Sequence, residues 1–255
     1  MEAYTGFAQV YDLFMDNVPY EEWSRYLTKL LARYGVKEGI LLELGCGTGK
    51  MTRLLTAAGY DMIGVDSSQE MLSLAMEQET PGQRAHEILY LCQDMRTFEL
   101  YGTVAAAVSV CDSMNYLLTE EDFLEVLRLV NNYLDPGGLF VFDFNTVYKY
   151  REILGEQTIC ENREDASFIW DNYYDEEEQI NEYDLTIYVR ETEELYRRFE
   201  ETHFQRGYEL NTVKELIGRS GLEFVAAYDG FTKDAPRADS QRICVVAREK
   251  GKEGH

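Results

Sequence analysis

Basic residues are scarce. The chain has 24 Lys and Arg against 47 Asp and Glu, a formal net charge of −23. A field of that sign opposes approach to phosphate backbones and anionic lipid, so a nucleic-acid partner is disfavoured. Long apolar runs are also missing. No stretch approaches the ~20 apolar residues of a membrane span, and Met1 to Asn17 has neither a basic start nor a continuous apolar core. No membrane partner is expected. The five cysteines, Cys46, Cys92, Cys111, Cys160 and Cys244, are odd in number and form no C-x-x-C pair. This spacing suggests neither a disulfide framework nor a zinc site, so reduced thiols, no metal and a cytoplasmic location are expected. Histidine is rarer still, at His86, His203 and the terminal His255.

What is present is 45% hydrophobic and 13% aromatic content over 255 residues. That composition rules out a disordered chain and suits one large α/β domain with an insertion, or two small domains. Apolar residues at Trp23, Tyr26, Leu27, Leu30, Leu31 and Tyr34 have helical spacing. Strands and helices then alternate. Strands are expected at Ile40 to Leu44, Met62 to Val65, Ile88 to Cys92, Val104 to Val110 and Leu139 to Phe144. Helices are expected at Lys50 to Ala58, Gln69 to Gln78 (capped by Ser67 or Ser68) and Asp122 to Leu134. The order implies a mostly parallel, doubly wound sheet with helices on both faces.

The pattern changes after Asn145. Thr158 to Asn162, Ser167 to Tyr174, Glu182 to Arg190 and Tyr196 to Gln205 partly alternate polar and aromatic residues, as in an inserted antiparallel sheet. Between Thr146 and Gly207 there are seventeen Asp and Glu against seven Lys and Arg, which supplies ten of the twenty-three excess negative charges. A solvated surface accounts for this, and so does a rim that attracts amine-bearing substrates. Helix and sheet resume at Thr212 to Ser220, Glu223 to Tyr228 and Ile243 to Ala247.

The chemistry concentrates at Leu41-Leu42-Glu43-Leu44-Gly45-Cys46-Gly47-Thr48-Gly49-Lys50, where an apolar strand breaks into glycines and then a helix. Asp66 follows twenty-one residues after Gly45, where an acid can grip both hydroxyls of a ribose. A dinucleotide fingerprint G-x-G-x-x-G would need glycine at Lys50, and its third glycine arrives early at Gly49. Glu43 would repel a pyrophosphate but suits a ligand carrying ammonium and sulfonium groups. S-adenosylmethionine fits this loop and NAD fits it badly.

These residues resemble the class I S-adenosylmethionine-dependent methyltransferases along nearly the whole chain, and a Rossmann-like, mostly parallel seven-stranded sheet is implied. Glu43 to Gly49 looks like their first motif and Gln93-Asp94-Met95 like the segment that holds the adenine. Cys111-Asp112-Ser113-Met114-Asn115-Tyr116-Leu117 is similar to the fourth motif, which faces cofactor and substrate. Tyr11-Asp12-Leu13-Phe14, Tyr20 with Trp23, and the 146–207 segment resemble a bacterial small-molecule branch that includes sugar amine N,N-dimethyltransferases. The resemblance implies a core of residues 1–145 and 208–250, an N-terminal helical lid over residues 1–36, and residues 146–207 as a substrate cover. The implied cofactor residues are Tyr11, Trp23, Glu43, Gly45, Cys46, Gly47, Asp66, Ser67, Met71, Asp94, Met95 and Cys111. Methyl transfer to N or O of a small molecule is the expected reaction, with S-adenosylhomocysteine as product.

In-line transfer from a sulfonium gains most from holding the nucleophile in a dry pocket, so a dedicated base is optional. Where a proton must leave, Tyr11, Asp112, Tyr116 and His203 are the candidates. His203 is equally what a half-buried sheet residue would look like, and Tyr11 and Trp23 equally suit helix packing. If the insertion selects the acceptor, Tyr173, Tyr188, Arg198 and His203 are its expected reading residues. An S-adenosylmethionine sensor without turnover stays open as an alternative, as do an RNA or protein methyltransferase and an NAD-dependent dehydrogenase.

Overall fold

The structure is a computed structural model, and it describes residues 8–78 and 88–252. His86 and the first seven residues lie outside them. Six α-helices and eleven strands are described: α1 Ala8–Phe14, α2 Tyr20–Arg33, β1 Ile40–Leu44, α3 Lys50–Ala57, β2 Asp61–Asp66, α4 Gln69–Glu77, β3 Leu89–Cys92, β4 Val104–Ser109, α5 Glu120–Tyr133, β5 Leu134–Asn145, β6 Thr158–Asn162, β7 Ala166–Asp175, β8 Ile180–Arg190, β9 Tyr196–Arg206, α6 Leu210–Ser220, β10 Leu222–Asp229 and β11 Arg242–Glu249.

Local chemistry sets the ends of these elements. The Ser68 hydroxyl accepts from the Met71 N–H at 3.2 Å and starts α4. Thr119 does the same for Asp122, with Glu120, Glu121 and Asp122 stacked in the positive first turn. That cap starts α5 two residues before the helix expected from apolar spacing.

The large sheet runs in the order β10-β11-β5-β4-β1-β2-β3. β11 pairs antiparallel with β5 and β10, and the β3, β2, β1, β4 and β5 pairings are parallel. Chain order reverses between β1 and β4, so their carboxyl ends frame the crevice in which open α/β sheets hold ligands. Alternation along the buried strands feeds both faces. Leu41, Met62, Val108 and Val141 pack with Leu27, Leu30, Leu31 and Leu55 of α2 and α3 on one side. Leu42, Phe140, Phe142 and Val245 pack with Phe123, Leu127, Val213 and Ile217 of α5 and α6 on the other.

α2 is therefore a layer of the core, and not part of the lid expected over residues 1–36. The second sheet, β6-β7-β8-β9, is wholly antiparallel. Its inner face buries Ala166, Phe168, Leu185 and Ile187 against Val10 and Phe14 of α1, with Phe14 and Phe168 in an edge contact at 4.8 Å. No described helix is long and apolar enough to cross a membrane.

Candidate active site

The glycine loop leaves β1 with Gly45, Gly47 and Gly49 at φ of 69°, 52° and 71°, where only glycine is unstrained. At Gly45 a Cβ would also stand 2.4 Å from the Ser113 hydroxyl, so the first glycine keeps the β1 and β4 ends close together. The Asp66 carboxylate at the end of β2 accepts the Gly47 N–H at 2.8 Å and the Ser68 N–H at 2.9 Å. One acid thus shapes the loop and the start of α4, and its remaining lone pairs stay available for ribose hydroxyls.

A cavity of about 580 Å³ opens above these strand ends. Every cofactor residue implied by the sequence lines it except Trp23: Tyr11, Glu43, Gly45, Cys46, Gly47, Asp66, Ser67, Met71, Asp94, Met95 and Cys111. Trp23 instead stacks on Phe231 at 4.2 Å, with the Arg242 guanidinium over its ring at 5.4 Å. Helix α2 turns that side chain into packing. Tyr20, Lys50 and Ser113, which stand in the motifs quoted above but outside the implied cofactor set, also line the cavity. Asp94 is tied to Arg96 at 2.6 Å, which keeps its carboxyl below the usual range, chiefly through that hydrogen bond.

Glu43 is buried at the cavity wall, and its carboxyl accepts the Thr52 hydroxyl at 2.5 Å. Burial pushes its pKa up to about 8; the Thr52 bond lowers it and Asp66 raises it further. The sequence expectation of a standing anion at neutral pH is therefore corrected, because burial favours the protonated carboxyl in the cofactor-free site. A buried acid with no ion pair among the described residues, beside glycine backbone and a ribose-type acid, fits an amino-acid-bearing adenosine. When bound, S-adenosylmethionine supplies an electrophilic methyl on sulfur.

α1 lies over this cavity and is held at both sides. Asp12 accepts the Thr48 hydroxyl at 2.8 Å and the Gln78 amide at 2.9 Å, fixing α1 to the ends of the loop and α4. Tyr11 projects into the cavity wall and bonds to Tyr20. Burial, then Tyr20 and Cys111, raise the Tyr11 phenol well above its ordinary value, which favours the protonated phenol.

The other catalytic candidates separate. Tyr116, in the Ser113–Tyr116 helical turn, lines the cavity. Asp112 does not. Its carboxylate accepts Arg242 at 2.6 Å and Gln205 at 3.0 Å, and its N–H donates to Asp143 at 3.1 Å. Burial opposes the charge, but Arg242 and Lys149 outweigh it and hold the Asp112 carboxyl below its ordinary value. Asp112 is thus a brace, and not a base. Arg242 also bonds to buried Asp143, a pairing across β11 and β5 that sequence spacing does not reveal. This brace sustains two consecutive left-handed residues, Cys111 at φ 60° and Asp112 at φ 55°, and Cys111 is thereby placed in the cavity wall.

His203 does not line the cavity either. It is buried on the inner face of β9, 3.2 Å from the Tyr116 hydroxyl through Nδ1 and 3.2 Å from Glu201 through Nε2. Among the described residues, none of 146–207 is part of the cavity wall. Tyr173, Tyr188 and Arg198 sit at register positions facing the opposite side of the sheet from Phe168, Leu185 and Glu201, so their expected part in reading the acceptor is corrected. Among the described residues, the inner face of the insertion reaches the cavity through α1, through Tyr116 and through the Gln205 bond to Asp112. Glu201 and Tyr183 were missed, although the i, i+2 spacing of Glu201 and His203 on one strand already puts them on one face.

The reversed parallel sheet, the glycine loop, Asp66 and the buried acid together define a class I S-adenosylmethionine-dependent methyltransferase. Residues 41–138 match the family described as methyltransferase domain. The chain is 34% identical over 246 residues, 96% of each chain, to "Putative methyltransferase YqeM" of Bacillus subtilis (strain 168). It is 30% identical over 138 residues, 53% of this chain and 56% of the other, to dTDP-3-amino-3,4,6-trideoxy-alpha-D-glucopyranose N,N-dimethyltransferase of Streptomyces venezuelae. Its structure is similar to that of an S-adenosylmethionine-dependent methyltransferase from Clostridium acetobutylicum ATCC 824, with a TM-score of 0.86 at 26% identity over 98% of this chain and 100% of that one. The chain belongs to the S-adenosylmethionine-dependent methyltransferase family.

Proposed function

We propose that this enzyme methylates a nitrogen of a small, amine-bearing molecule in the cytoplasm, and that α1, backed by the inserted sheet, covers the reaction. The observation that carries the reading is the size and closure of the cavity. About 580 Å³ lies beneath a helix pinned by Asp12 at both sides, a volume that suits the cofactor and a small acceptor. Three phenols, Tyr11, Tyr20 and Tyr116, share its wall. Their rings favour a cationic sulfonium and an incoming ammonium by about 0.5–2 kcal/mol each. The net charge of −23 draws cationic molecules and repels nucleic acid. The similarity to a sugar-amine N,N-dimethyltransferase over half the chain favours nitrogen over oxygen.

The test is methyl transfer from labelled S-adenosylmethionine to a panel of small primary and secondary amines, small phenols, total RNA and protein. The amines are expected to accept. Faster transfer to phenols, RNA or protein overturns the choice of acceptor, and cofactor binding without transfer to any of them makes the protein a sensor.

A further inference from the structure

The insertion sends one connected line of polar groups to the cavity wall. The Tyr116 hydroxyl, at the wall, lies 3.2 Å from His203 Nδ1 and 3.1 Å from the Tyr183 hydroxyl. His203 Nε2 lies 3.2 Å from Glu201 Oε2, and both side chains are almost wholly removed from solvent. The Tyr183 ring stacks on the imidazole at 5.1 Å and 17°. Burial holds the Tyr183 phenol well above its ordinary value, so it remains a hydrogen donor.

With Glu201 ionised, one arrangement of protons satisfies every bond in the line. A carboxylate only accepts, so Glu201 places the imidazole proton on Nε2 and leaves Nδ1 as an acceptor. Nδ1 takes the Tyr116 hydroxyl proton in a hydrogen bond, while Tyr183 donates to the Tyr116 oxygen. Among the described residues, the groups facing this line include Glu201 on its own strand, Tyr183 on β8, Tyr116 on the 113–116 turn, and Asp112 beyond it, whose charge Arg242 occupies.

We propose that Tyr116, His203 and Glu201 form a proton relay that neutralises an ammonium acceptor inside the closed cavity, with Tyr116 the catalytic residue and His203 and Glu201 its positioning and proton-holding partners. This rests on the amine reading of the function. An acceptor ammonium gives one proton to the Tyr116 oxygen as Tyr116 gives its own to His203 Nδ1. The products are a neutral amine, an unchanged phenol and an imidazolium beside the Glu201 carboxylate. The amine nitrogen then bonds to the methyl carbon as the carbon–sulfur bond breaks, and the sulfur keeps that electron pair. The relay lets the enzyme take its substrate in the protonated form that dominates at neutral pH, the form its acidic surface attracts. General acid–base help of this kind is worth about 10²–10⁴-fold in rate.

Two arms test it. The first needs no acceptor: imidazole ¹⁵N NMR of the protein saturated with S-adenosylhomocysteine is expected to find the neutral His203 protonated on Nε2, with Nδ1 hydrogen-bonded and its resonance moved by Tyr116→Phe. An Nδ1-protonated ring, or an Nδ1 resonance indifferent to Tyr116→Phe, overturns the relay. The second arm measures kcat and KM for the accepted amine from about pH 6 to pH 10. Tyr116→Phe, His203→Gln and Glu201→Gln are each expected to lower kcat near neutral pH by about 10- to 10⁴-fold and to regain much of it as pH nears the pKa of the amine itself. His203→Gln is expected to leave S-adenosylhomocysteine affinity within about threefold, because it does not line the cavity. A loss of equal size at every pH marks a structural role and overturns the relay. If no amine is methylated, the amine reading falls, whereas the relay geometry stands or falls on the first arm.

Discussion

Cofactor affinity should depend on pH through Glu43. With its pKa at about 8 in the cofactor-free protein, roughly one Glu43 in eleven is ionised at pH 7 and one in a hundred at pH 6. The cofactor ammonium needs the ionised form, so the apparent dissociation constant carries the inverse of that fraction. For S-adenosylhomocysteine it is expected to fall about tenfold from pH 6 to pH 7 and about fivefold more by pH 8, with about 0.9 proton released per site at pH 7. Calorimetry in two buffers of different ionisation enthalpy reads both quantities. Stability of the cofactor-free protein moves the other way. The folded pKa lies above the unfolded one, so this contribution is full below the unfolded value and is lost as pH rises through about 8. Between pH 5 and pH 8 the loss is about 3.5 kcal/mol from this group. Glu43→Gln, neutral throughout and the same shape, should remove that slope while weakening the cofactor at pH 8. A dissociation constant that stays flat from pH 6 to pH 8 with no proton released would refute the assignment.

Gly45→Ala combines a φ of 69° with a Cβ 2.4 Å from the Ser113 hydroxyl, and is expected to cost about 1–3 kcal/mol of stability and to weaken cofactor binding; thermal melts with and without S-adenosylhomocysteine check it. Asp12→Ala removes both bonds that hold α1 and should raise the cofactor dissociation rate by an amount worth about 1–2 kcal/mol, read by stopped-flow, while the melting temperature of the core changes little. Arg242→Met leaves buried Asp143 and half-buried Asp112 without the guanidinium that joins them, with Lys149 alone beside them, and should destabilise the fold by about 3–5 kcal/mol in a denaturant titration. Tyr173→Ala, on the exposed face of the insertion, should change stability, cofactor affinity and turnover by less than about 0.5 kcal/mol each.

What the sequence determined by itself was everything encoded over short distances. The alternating elements were legible because apolar period, glycine stops and caps such as Ser68 act within a few residues. The cofactor loop was legible because strand, glycines and helix follow one another from Leu41 to Lys50, and Asp66 ends the adjacent strand. The mostly parallel, doubly wound sheet followed from repeated strand and helix units, its seven strands from the family resemblance, and the four inserted strands from alternation and acidic turns. Tertiary structure decided whatever depends on which distant residues meet. It turned Trp23 from the cofactor to Phe231, joined Asp112 to Arg242 across 130 positions, and left Asp112 without a free carboxylate. It also set which face of β9 looks inward, and so brought His203 to Tyr116 while Arg198 turned away. It raised Glu43 to about 8, because the proton affinity of a carboxyl is set by the water it loses and the charges it meets, and neither is written in its neighbours along the chain.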